Sequence, residues 1–304
     1  MILTVTLNAA LDVTYRLSRL VPGATHRVTE VAERAGGKGV NVARVLHTLG
    51  EPVTVTGLVG GACGARIRSL LAAEGVPDAF VPIAAESRRT VVVAEAGRAT
   101  GLWEPGPTVA ADEWAAFLTR FAALVRAARV VVLSGSLPPS VPVDAYATLI
   151  ELARNAGART VLDTDGPALR HGLAAAPDLV KPNADELAGL VGRPLPGPDA
   201  AVGAVRALPA RDVVATFGPD GLIAVTAAGA WHAFLPEPLT GNPTGAGDAC
   251  VAALVQGMLH GRSWPERLVD AVALGAAAVR APVAGAVDLS EYRRLRRFVI
   301  VKEM

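Results

Sequence analysis

From Asp112 onward the chain alternates short apolar runs with longer amphipathic ones, and this alternation constrains the fold more than any other feature of the sequence. Helix-like patterns over Asp112–Arg126 and Val143–Asn155 separate strand-like runs at Val130–Leu133 and Arg159–Leu162. A short strand at Leu179–Lys181, a helix from Ala184 and a strand at Val213–Thr216 continue the pattern. Strands that alternate with helices build a parallel sheet covered on both faces, with ligands at the carboxyl ends of its strands. Ile2–Leu7 and Val53–Val59 read as further buried strands, and Leu222–Thr226 with Ala230–Phe234 as a hairpin. Helices are expected at Val40–Leu49, Ala65–Ala73, Ala246–Leu259 and Pro265–Arg280. Half the residues are hydrophobic (51%) but few are aromatic (4%), so the core must be built from Ala, Val and Leu.

Four runs break the pattern. Val13–Leu17, His26–Arg34, Thr90–Ala94 and Arg98–Trp103 mix apolar and polar residues, the last two flanking a turn at Gly97. Such two-sided strands suit a small sheet standing apart from the core. The expectation is an α/β fold in which residues 1–304 form one domain, with lid strands inserted at about 13–34 and 88–104.

The composition narrows the function. A formal charge of +1, with acids and bases interspersed, gives no electrostatic case for nucleic acid or a membrane surface. Cys63 and Cys250 are the only cysteines and lack metal-type spacing, which argues for a reduced, cytoplasmic protein without zinc. Met1–Leu7 has no basic region of the kind that opens a signal peptide, and no apolar run reaches the roughly 18 residues of a membrane span.

The chemistry gathers at Asn242-Pro243-Thr244-Gly245-Ala246-Gly247-Asp248, which opens a small-residue helix. Two glycines at a helix start present bare N–H groups to an anion, and the helix end adds partial positive charge. Asp248 reads either as a base beside that anion or as an ordinary helix cap. Polar residues also collect at the other strand ends: Asn8 and Asp12, Ser134 and Ser136, Asp163 and Asp165, Lys181 to Glu186, and Thr216 to Gly221. Any one of these is an ordinary turn; five at the same edge of a sheet imply a shared cleft. There is no Gly-x-x-x-x-Gly-Lys-Ser/Thr loop, no His-Glu-x-x-His and no Gly-x-Ser-x-Gly elbow, and the first strand runs into Asn8-Ala9-Ala10, not into a dinucleotide-binding turn.

Taken together, Gly36-Gly37-Lys38-Gly39-Val40-Asn41-Val42-Ala43-Arg44, the Asn242–Asp248 stretch and Asn183-x-x-Glu186 closely resemble the signature regions of the PfkB (ribokinase-like) carbohydrate kinases. Thr6–Asp12, the lysine of Gly-Gly-Lys-Gly and Glu104-Pro105-Gly106-Pro107 are similar to the 1-phosphofructokinase and tagatose-6-phosphate kinase branch. The chain departs from that branch at Ala9, where Pro is usual, and at Trp103, where Asn is usual. Asn242 stands where many relatives have a cation-binding Asp.

The resemblance implies a three-layer α/β/α fold with a mostly parallel central sheet and a small β-sheet lid, and ATP-dependent phosphorylation of a sugar phosphate. By the same resemblance Asp248 is the base, with the N–H groups of Gly245, Ala246 and Gly247 as anion hole. Asp12, Gly36, Gly37, Lys38, Asn41, Arg88 and Ser136 bind the sugar phosphate, Lys38 and Arg88 meeting its dianion. ATP falls to Asn183, Thr216, Gly218, Gly221, Gly245 and Gly247, and Mg²⁺ to Glu186 and Asn183, largely through water. A homodimer through the lid is a further expectation. Two rival readings stay open: a kinase of a free sugar or nucleoside, and a sugar-phosphate binder without chemistry.

Overall fold

A computed structural model describes every residue except Ala96, Gly97, Pro238 and Pro282, so the expected Gly97 turn lies outside the described residues. In chain order the elements are β1 (Ile2–Thr6), β2 (Ala10–Arg16), β3 (Glu30–Gly36), α1 (Lys38–Thr48), β4 (Val53–Gly60), α2 (Gly61–Ala73), β5 (Val81–Ile83), β6 (Arg88–Glu95) and β7 (Arg98–Trp103). There follow α3 (Ala111–Leu124), β8 (Val130–Ser134), α4 (Ala145–Asn155), β9 (Arg159–Asp163), α5 (Gly166–Ala174), β10 (Leu179–Val180), α6 (Ala184–Val191), α7 (Pro198–Arg206) and β11 (Asp212–Thr216). The chain closes with β12 (Leu222–Thr226), β13 (Gly229–Phe234), α8 (Ala246–Leu259), α9 (Trp264–Arg280), α10 (Leu289–Leu295) and β14 (Ile300–Glu303).

Ten strands form the central sheet in the order β14-β13-β12-β11-β10-β9-β8-β1-β4-β5. It is parallel from β5 to β11 and antiparallel beyond, where β12, β13 and β14 turn back on one another. The alternation of side chains along each strand divides the core in two. Leu3, Val5, Val131 and Leu133 face a layer containing Phe117, Tyr146, Leu149 and Leu169 of α3, α4 and α5. Ile2, Val130 and Val132 face the opposite layer, made by α1, α2, α8 and α9. Helix α8 is buried from Asp248 to Leu259. Its small residues allow this: Gly275 of α9 comes so close that a Cβ there would stand 2.6 Å from the Cys250 sulfur.

The second sheet has the order β3-β2-β6-β7, with β2 and β6 parallel. Strand β2 begins at Ala10, not at Val13, so Asp12 lies inside the strand, opposite Arg34 of β3 and Thr90 of β6. Thr90 is in turn opposite Trp103 of β7. This sheet joins the core where β1 runs into β2 and where β3 runs into α1. At the latter junction Gly37 has φ +108°, and a Cβ would press to 2.6 Å from the Thr6 methyl. Among the described residues no helix is long and apolar enough to cross a membrane.

Candidate active site

The carboxyl ends of β1, β8, β9 and β11 and the start of α8 open into a single cleft of about 1380 Å³, whose far wall includes Arg88, Thr90 and Trp103 of the second sheet. A single small ligand usually takes about 300–1,000 Å³, so this cleft has room for two.

At its centre, Gly245 caps α8 in the left-handed region (φ +87°), and a Cβ there would meet the Gly285 nitrogen at 2.8 Å. Asp248 lies in the first turn of α8 but makes no cap hydrogen bond. Its carboxylate instead accepts a hydrogen bond from Asn41 Nδ2 at 2.9 Å. The cap position of α8 belongs to Gly245, and the Asp248 side chain is turned to Asn41 of α1. Burial, with the charge of Asp163 added, pushes its pKa up to about 6, against the opposing pull of Asn41, Lys38 and Lys181. Of the N–H groups expected to cradle an anion, that of Ala246 is engaged, donating to the Pro243 carbonyl at 3.1 Å. Beside the turn sits an ammonium: Lys181 Nζ lies 3.6 Å from where a Cβ on Gly247 would stand.

Lys181 belongs to a charge cluster at the base of the cleft. The buried Asp163 carboxylate lies 3.2 Å from Lys181 and 3.5 Å from Lys38, and also accepts the Ser134 hydroxyl at 3.2 Å. Burial alone would raise the Asp163 pKa; Lys181 and Lys38 outweigh it and hold the carboxyl below its usual range. Lys38 also faces Glu186, at 3.6 Å, and its pKa is raised chiefly by Asp163. Thus the ammonium of the Gly-Gly-Lys-Gly lysine lies between the end of β9 and the first turn of α6.

The residues expected to bind a sugar phosphate divide into two groups. Gly37, Lys38, Asn41, Arg88 and Ser136 line the cleft. Arg88 is braced against two carbonyls, Asn8 at 3.1 Å and Glu104 at 3.2 Å, and Asn8 Nδ2 bridges Pro105 and Ser136. Asp12 and Gly36 are set back from the cleft lining, packed on each other so tightly that a Cβ on Gly36 would overlap the Asp12 carboxyl. Burial raises the Asp12 pKa to about 6, with Thr90 and Arg88 pulling it down. Asn41 lines the cleft but has both ends of its amide occupied: Nδ2 by Asp248, Oδ1 by Arg44 at 3.0 Å.

On the opposite side, Thr216, Gly218, Gly221 and Asn183 line the cleft together with Leu239, Val272, Ala276 and Val279. Asn183 and Glu186 form a capping box on α6: Asn183 Oδ1 accepts from the Glu186 N–H and Glu186 Oε2 from the Asn183 N–H, each at 2.8 Å. The remaining oxygen, Oε1, is the one that faces Lys38. Among the described residues no three Asp, Glu, His or Cys side chains converge on a metal position. A lone carboxylate oxygen suits Mg²⁺ carried on a nucleotide and reached through water, because this ion dehydrates reluctantly.

Three features escape sequence reasoning. The Asp163–Lys181 pair joins two strand ends whose polar residues are visible in sequence but whose contact is not. The apolar wall from α9 reads in sequence only as core. The link from Arg44 to Asn41 depends on a guanidinium whose neighbours no motif records.

Comparison with known proteins agrees with this geometry. The pfkB family carbohydrate kinase model matches residues 5–290. Phosphofructokinase-2 from Escherichia coli in complex with potassium is similar at 31% identity over 98% of each chain, with a TM-score of 0.93. The same enzyme in complex with fructose-6-phosphate matches at 32% identity, again over 98% of each, with a TM-score of 0.89. A possible 1-phosphofructokinase from Thermotoga maritima matches at 27% identity over 100% of this chain and 99% of its own, with a TM-score of 0.90. The chain belongs to the pfkB family of carbohydrate kinases, ATP-dependent enzymes that phosphorylate sugars.

Proposed function

We propose that this protein transfers the γ-phosphoryl group of ATP to a hydroxyl of a sugar phosphate, fructose 1-phosphate first among the candidates. The observation that carries the proposal is Asp248: a buried carboxylate, held by Asn41 at the start of a glycine-opened helix, lining the same cleft as Arg88 and the apolar residues of α9.

Val272, Ala276 and Val279 would pack against the adenine ring, while Thr216, Gly218 and Gly221 border its sugar and phosphates. The start of α8 and the ammonium groups of Lys181 and Lys38 would meet the charge that spreads over the transferring group. Asp248 would accept the proton of the attacking hydroxyl as its oxygen bonds to the γ-phosphorus and the bond to the ADP oxygen breaks. Arg88, braced at the cleft wall, would hold the phosphate already on the sugar. Mg²⁺ bound with ATP would be steadied by Glu186 Oε1 through water, and supplies charge neutralisation on the phosphates. The second sheet would act as a lid that carries Asp12 to the sugar and excludes water. The sheet also exposes Val31 and Leu102 (58% and 60%), which supports pairing with a second copy in a homodimer.

Fructose 6-phosphate is the second reading, supported by the likeness to the Escherichia coli enzyme solved with that sugar. The test is ADP release with fructose 1-phosphate, fructose 6-phosphate, tagatose 6-phosphate and the free sugars. Turnover confined to phosphosugars is expected; preference for a free sugar would refute the proposal.

A further inference from the structure

Glu74, Arg44 and Asn41 form a hydrogen-bonded chain that ends on Asp248. Glu74 Oε2 accepts from Arg44 Nε at 2.6 Å, Arg44 Nη1 donates to Asn41 Oδ1 at 3.0 Å, and Asn41 Nδ2 donates to Asp248 Oδ2 at 2.9 Å. The third corner of the guanidinium, Nη2, donates to the Ala35 carbonyl of β3 at 2.8 Å. Arg44, Asn41 and Asp248 are all less than a tenth exposed. The bare backbone of Gly285 closes over the chain, since a Cβ there would stand 2.7 Å from Asn41 Oδ1 and 2.9 Å from Arg44 Nη1.

The chemistry of the two ends of an amide decides what this chain does. An asparagine can present either its donor or its acceptor to a neighbour, and only the donor stabilises a carboxylate. Oδ1 turned toward Asp248 would set acceptor against acceptor in a buried site. A guanidinium has no acceptor, so Arg44 fixes Oδ1 on its own side and leaves the NH₂ for Asp248. Glu74 and the β3 carbonyl in turn fix the plane of the guanidinium. Its salt bridge to Arg34 of β3, at 3.7 Å, ties Glu74 to the same strand.

Resting on the reading of Asp248 as base, we propose that Arg44 is a positioning residue, clamped by Glu74 and by β3, which sets the Asn41 amide and so holds the catalytic carboxylate in register with the lid sheet. Asn41 accordingly serves the base, with its second N–H still free to meet a sugar hydroxyl in the cleft. The other charged groups that face Asp248 are Lys38 from α1, Asp163 from β9 and Lys181 beyond β10, and none of them belongs to this chain.

The experiment measures kcat, both KM values and the pH profile of kcat/KM for wild type, Arg44→Met, Arg44→Lys and Glu74→Gln, with melting temperatures for each and Asp248→Asn as control. In Arg44→Met, kcat should fall roughly tenfold to a hundredfold, as expected for a misplaced catalytic group, with both KM values little changed. The acid limb should rise by roughly one pH unit, because a hydrogen bond to the charged form of Asp248 is lost. Arg44→Lys should not rescue, because an ammonium lacks the fork, and Glu74→Gln should shift the limb the same way by less. A folded Arg44→Met with a wild-type acid limb and kcat would overturn the proposal, as would losses confined to the melting temperature. If Arg44→Met does not fold, a folded Glu74→Gln with an unmoved limb overturns it equally. Full turnover by Asp248→Asn would instead strike at the base itself, a result distinct from these.

Discussion

Replacing Lys38 by Met tests where the lysine of Gly-Gly-Lys-Gly acts. From sequence it would hold the phosphate already on the sugar, and its loss would raise only the KM for that substrate. In the structure its ammonium lies 3.5 Å from Asp163 and 3.6 Å from Glu186, between the end of β9 and the first turn of α6. A unit charge about 4 Å from a charged group is worth about 4 kcal/mol at an effective dielectric near 20. Its side chain is 36% exposed, so solvent screening reduces that to roughly 2 kcal/mol. If the charge acts on the transferring phosphoryl group, kcat should fall about 30-fold. The acid limb of the pH profile should also rise, since Lys38 helps keep Asp248 ionised. Steady-state ADP release with each substrate varied in turn separates the outcomes. An unchanged kcat with only the phosphosugar KM raised would refute the placement and restore the role suggested by sequence.

Three further outcomes follow from the geometry. Arg88→Ala should raise the sugar-phosphate KM roughly tenfold to a hundredfold, leaving that for ATP unchanged, because it removes a charge-assisted contact worth about 1.5–3 kcal/mol; equal effects on both substrates would count against the assignment. Activity should fall as pH drops through about 6, where the base becomes protonated, whereas stability moves the other way: a carboxyl raised from 3.8 to about 6 contributes stability that is present at low pH and lost as pH rises through about 6, so Asp248→Asn should melt a few degrees above wild type near neutral pH and gain little near pH ~4. Gly245→Ala forces an L side chain to φ +87° against the Gly285 nitrogen and should cost about 1–3 kcal/mol in stability together with most of kcat; a fully active, equally stable variant would exclude the tight turn.

Much of this architecture is legible in the chain because its signals are local. Val130–Leu133 alternates between two buried layers, and Gly245 and Gly247 announce the start of α8. What escapes is either short or distant. Strand β5 has only three residues around Pro82, and α5 and α7 begin at Gly166-Pro167 and Pro198, which read as turns. Helix α10 and β14 hide in an arginine-rich tail without apolar period; Asp270, buried beneath, holds Arg296 and Tyr292 there and also pairs with Arg262 from the α8–α9 connection. In the site, residue types were visible but not their partners: which carboxylate Lys38 meets, or which end of Asn41 faces Asp248, depends on side chains up to 207 positions apart.

If Asp248 takes the proton of the attacking hydroxyl, its amide counterpart should bind substrate without turning it over. The most direct measurement is turnover of Asp248→Asn beside calorimetric binding of the sugar phosphate to the same protein. Binding should stay close to wild type while kcat falls roughly a hundredfold to ten-thousandfold, the usual worth of a general base. Wild-type turnover by that variant would contradict the role of Asp248 as base.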